Sequence, residues 1–143
     1  MLVVDDALLL RVLGGVAVSS VMAELERGEL YTTGVWYHRL SRAAHDDRSV
    51  GTLSRELATF DQDVQHYILE SLDQLPDRIG LIGWRRLVPV MSVLNVGRNL
   101  NLLAAEALAV GLVVGADIGV TTDAPLVREG AATLDLGYRV IRV

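Results

Sequence analysis

The stretch from Leu100 to Ala116 carries a single ionisable residue, Glu106, and this constrains the fold more than any other feature of the chain. A helix that is apolar on every side must be covered on every side, so it belongs inside a layered domain. Glu106 interrupts the run before it reaches the roughly 20 apolar residues of a membrane span, and no membrane association is expected. A carboxylate in such a helix needs a cation, an arginine or a wet edge, because an unpaired buried charge is very costly. Glu106 is therefore a candidate site residue, with a local arginine or a strip of solvent as the structural alternatives.

The rest of the chain alternates short β-favouring runs with helical patterns. Leu2 to Val4 predicts a buried strand, and Ala7 to Leu13 a helix stopped by Gly14 and Gly15. Val16 to Arg27 has a helical face of Val18, Val21, Met22 and Leu25, ended by Gly28. Leu30 to Thr32 reads as extended, Thr33 to Ala44 as a helix, and His45 to Gly51 as a polar loop. Two short helices follow, marked by Leu53, Leu57 and Phe60 and by Val64, Tyr67, Ile68 and Leu72. Ile79 to Trp84 is a brief β-like run, and Leu87, Val90, Met91 and Leu94 have helical spacing. After the long helix, Asp117 to Thr121 reads as a strand, Ala124 to Gly130 as a helix and Tyr138 to Val143 as a closing strand. Strands alternating with helices imply parallel pairing through crossovers, hence an α/β domain with helices on both sheet faces.

At 143 residues the length suits one domain, 1–143, and a hydrophobic fraction of 51% argues against disorder. The absence of cysteine removes disulfides, thiolate zinc sites and a cysteine nucleophile. With no signal-peptide pattern, a cytoplasmic location is expected. All 13 basic residues are arginines, which removes Schiff-base chemistry and the lysine of a Walker loop. A net charge of −5 disfavours a broad nucleic-acid-binding face while permitting a local arginine patch. An apolar composition makes a homodimer an expectation, since excess apolar surface tends to be covered.

Three acids stand where segments of such a sheet would bring them together. Asp5 follows the first strand, and ligand sites of open parallel sheets gather at the carboxyl ends of strands. Capping of the next helix is an equally good use for it, and the adjacent Asp6 allows one acid to do each job. Asp123 follows Val120, Thr121 and Thr122 and precedes Pro125, which suits either a site or a helix start. Asp117 opens the same strand and should face away from the crevice. Three carboxylates, Asp5, Glu106 and Asp123, with Asp6 as a secondary ligand, would suit a hard cation such as Mg²⁺ or Mn²⁺. Such a centre polarises phosphate esters and activates water. Thr121 and Thr122 could orient ligands or bind substrate, and Arg39 or Arg42 could hold a phosphate. The segment from Tyr31 to Arg39 mixes aromatics with arginine in a way that suits RNA, although a packed helix with Trp36 and Tyr37 in the core is the stronger reading.

Val3-Val4-Asp5, Glu106-Ala107-Leu108 and Thr121-Thr122-Asp123, taken in order, resemble PIN domains. The resemblance implies a three-layer α/β/α sandwich with a small, mainly parallel sheet. It also implies acids gathered around Mg²⁺ or Mn²⁺ to cleave single-stranded RNA, as in the toxins of toxin–antitoxin pairs, with an antitoxin-like protein as a partner. Asp5 and Asp123 match the first and last family acids, and Glu106 stands where Asp is usual. The early-helix acid has no counterpart near Val35 and Trp36. Two expectations follow: a metal-dependent ribonuclease with a degenerate acidic site, or a PIN fold that has lost catalysis and serves in binding or dimerisation. Val3 to Asp6 is also similar to the start of a response-regulator receiver, but that family needs a late lysine, which this chain lacks.

Overall fold

The computed structural model describes residues 1–46 and 51–142. Residues 47–50 of the expected polar loop and Val143 of the expected last strand lie outside the described residues. The chain runs β1 (Leu2–Val4), α1 (Asp6–Leu13), α2 (Ser19–Glu26), β2 (Leu30–Tyr31) and α3 (Gly34–Ala44). It continues through α4 (Thr52–Leu57), α5 (Gln62–Asp73), β3 (Ile79–Gly80), α6 (Trp84–Leu94) and α7 (Leu102–Val114), then β4 (Asp117–Val120), α8 (Pro125–Thr133) and β5 (Tyr138–Val140). All strand pairings are parallel, in the order β3-β2-β1-β4-β5.

Side chains of β1 alternate between the two sheet faces, as the pleat requires. Val3 joins one core with Ile118 and Val120 of β4 and the helices α6, α7 and α8. Leu2 and Val4 join the other with Leu30, Ile79 and the helices α1, α2, α4 and α5. Helix α3 reaches both, Trp36 entering the first core and Leu40 the second. The result is an α/β architecture with helices on both faces of a small parallel sheet.

Helix α7 forms as its apolar run predicts, between an Asn101 cap that accepts from the Ala104 amide at 2.8 Å and Gly115, whose φ of 71° allows the left-handed stop. Residues Ala104 to Gly111 are buried without interruption. No helix among the described residues is long and apolar enough to cross a membrane. The expected β-run from Ile79 to Trp84 shortens to two residues, because Gly83 caps α6 and Trp84 opens it. The segment expected to be helical from Val16 begins only at Ser19.

Candidate functional site

The chain passes from β1 to β2 and β3 on one side of the sheet, then crosses back to β4 and β5 on the other. Neighbouring strands β1 and β4 therefore mark the topological switch point, where open parallel sheets leave a crevice beyond the strand ends. A cleft of about 340 Å³ lies there, and Asp5, Asp6, Arg39, Thr121 and Thr122 line it together with Trp36. Arg42 lines an adjoining hollow that shares Arg39 with the cleft. Five of the residues singled out from the sequence, four near the ends of β1 and β4 and Arg39 on α3, thus line one cleft.

Asp5 does two jobs at once. Its Oδ1 accepts from the Leu8 amide at 2.9 Å and caps α1, while Oδ2 accepts from the Thr121 amide at 2.7 Å and the Thr121 hydroxyl at 3.0 Å. The carboxylate fastens the end of β1 to the end of β4. Thr32 makes a parallel tie on the other flank, donating its hydroxyl to the Val4 carbonyl at 2.8 Å. Thr122 is exposed at the rim.

Asp6 is the unusual acid of the cleft. It is 8% exposed, its Oδ2 accepts no hydrogen bond among the described residues, and the Arg39 guanidinium stands 3.3 Å from that oxygen. Burial pushes its carboxyl above the ordinary value of 3.8, Arg39 opposes this, and Asp5 adds to it. Folding therefore favours the protonated acid, so the associated stability is fully present below 3.8 and is lost as pH rises through the raised value. An Asp6→Asn variant should lose less stability than the native chain between about pH 4 and about pH 7. Urea midpoints at the two pH values measure this, and a larger loss in the variant would contradict the burial argument.

Glu106 is fully buried and turned to the first turn of α3. Its Oε1 accepts from the Val35 amide at 2.8 Å, and Oε2 accepts from the Gly34 amide at 3.2 Å and the Trp84 indole at 2.6 Å. Amides at a helix start have no partner within the helix and carry partial positive charge, so a carboxylate there is well matched. A Cβ at position 34 would stand 3.1 Å from Oε2, which makes glycine the residue that lets the carboxylate close in. Neither Gly34 nor Trp84 was among the sequence candidates. The only signal for them was Glu106 itself, which had to find donors somewhere.

Asp123 is exposed and does not line the cleft. It accepts from the Tyr138 hydroxyl at 2.8 Å and pairs with Arg128. The Tyr138 hydroxyl and the Arg128 guanidinium hold its carboxyl below the ordinary value. It does not cap α8, whose cap position is Ala124 with no side-chain acceptor, and the Ala124 amide donates to the Tyr138 hydroxyl at 2.8 Å. Asp117, as expected, opens β4 at the end opposite the cleft and lies 3.5 Å from Arg139. Trp36 is buried, Tyr37 donates its hydroxyl to the Leu72 carbonyl, and Tyr31 packs partly buried against the same core as Trp36, so the three aromatics of that segment serve packing.

Asp5, Glu106 and Asp123 are thus committed to three separate sets of partners and are not brought to one ion. Among the described residues no group of three His, Cys, Asp or Glu side chains could hold a metal. The donors explain why a three-carboxylate Mg²⁺ or Mn²⁺ centre does not fit this arrangement. Oδ2 of Asp5 and Oε2 of Glu106 each already accept two hydrogen bonds, which uses both lone pairs. Comparisons of the chain with family models, with curated proteins and with solved structures found no match.

Proposed function

We propose that this chain is a PIN-like domain that binds an anionic ligand, single-stranded RNA in the first instance, in the cleft above β1 and β4 without three-carboxylate metal catalysis. The observation that carries this reading is the commitment of Glu106 to the Gly34 and Val35 amides and the Trp84 indole, which takes the late-helix acid out of the cleft. The small parallel sheet between helix layers supports the PIN-like part. Arg39, half-exposed at the cleft wall beside the hydroxyls of Thr121 and Thr122, supports an anionic ligand.

The Mg²⁺- or Mn²⁺-dependent ribonuclease reading has one observation in its favour: Asp5 and Asp6 both line the cleft, and among the described residues Asp6 Oδ2 accepts no hydrogen bond. A cleavage assay separates the two. Labelled single-stranded RNA incubated with the protein and either metal should be cut no faster than with the Asp5→Asn variant. Cleavage by the native chain that disappears in Asp5→Asn and in Asp6→Asn would replace the binding reading with the nuclease one.

A further inference from the structure

We infer that the beginning of α6, with the neighbouring stripe of α3, is a stacking and phosphate-contact surface for single-stranded nucleic acid. A shallow groove of about 450 Å³ runs there between Gly34, Val35 and His38 of α3, Trp84 of α6 and Leu102 of α7. Trp84 is 45% exposed, yet its indole N–H is anchored on the buried Glu106 at 2.6 Å. A large aromatic surface is thereby presented to solvent in a fixed orientation, and the ordering that a ligand would otherwise have to impose is already done.

The charges at the same end of α6 point to a polyanion. Arg85 and Arg86 follow Trp84 directly, both are exposed, and among the described residues neither pairs with a carboxylate. His38 in the groove and Arg42 one turn further along α3 are also exposed, and Arg42 carries positive charge toward the hollow that Arg39 shares with the cleft. In a chain of net charge −5 this local set stands against the overall field. Aromatic stacking tolerates any base, and regularly spaced phosphates suit arginines that have no partner of their own. Val88, exposed one turn on from Trp84, makes an acidic amphipathic peptide the competing occupant.

This surface goes beyond the cleft reading and is tested apart from it, with fluorescence anisotropy of labelled oligouridylate and oligoadenylate in the presence of a chelator. Single strands should bind with an affinity that falls as salt rises, and more tightly than the corresponding duplex. Trp84→Leu and the double variant Arg85→Gln/Arg86→Gln should each weaken binding roughly ten-fold, the double variant also flattening the salt dependence. If Trp84→Leu fails to fold, the double variant, which changes only exposed side chains, decides alone. The inference is overturned if single strands do not bind, if the double variant binds as well as the native chain, or if polyglutamate displaces the oligonucleotide as fully as unlabelled oligonucleotide does. Single-strand binding that the double variant keeps and Arg39→Gln loses would leave the cleft reading standing and overturn this surface alone, whereas absence of binding by the native chain overturns both.

Discussion

Replacing Glu106 by alanine should lower the unfolding free energy by about 3–5 kcal/mol, the largest effect expected from any single polar substitution in this chain. Three donors, the Gly34 and Val35 amides and the Trp84 indole, would lose their acceptor inside the protein, and a cavity would open in the middle of α7. Glu106→Gln keeps the volume but turns an amide N–H₂ toward a donor, so it should cost roughly half as much. Since the interaction is buried, added salt should restore little of the loss. Urea unfolding followed by circular dichroism gives the readout: the midpoint should fall with an unchanged slope, and a midpoint within error of the native one would remove Glu106 as the anchor of α3.

Asp5→Ala should cost about 2–4 kcal/mol, made up of a lost helix cap and two unsatisfied donors on Thr121. The Thr121 amide should also exchange its hydrogen faster, since the tie between β1 and β4 is gone. Thr121→Val, which removes only the hydroxyl, should cost about 1 kcal/mol. The measurement discriminates between roles. If Asp5 were held only to bind a cation, removing its charge from the neighbourhood of Asp6 in metal-free buffer would raise stability, and a rise would refute its role as the fastener of β1 to β4.

Much of this architecture was legible in the chain because the informative patterns are local. The apolar period of α1, α5 and α6, the cap at Asp5 and the stop at Gly14 are readable within one or two turns. The placing of Asp5, Asp6, Thr121 and Thr122 at strand ends follows from the same reading. The partners of Glu106 do not, because its donors lie 71 and 72 residues away on α3 and 22 away on α6, and only the crossover from β3 to β4 brings them together. Strands of two residues, β2 and β3, are too short to show a period of two. Asp123 looked like the cap of α8, but the helix begins one residue later with Ala124 at the cap position, and the Asp123 carboxylate instead accepts from the hydroxyl of Tyr138, fifteen positions on.

Helix α3 sends Trp36 into one apolar layer and Leu40 into the other, and it also forms a wall of the cleft. Neither half of the molecule can loosen while that rod stays seated in both, so heat or urea should dismantle the two together in a single transition. The same linkage makes occupancy of the cleft a property of the whole chain: a ligand held at micromolar strength and supplied in hundred-fold excess would raise resistance to unfolding everywhere by about 2.7 kcal/mol.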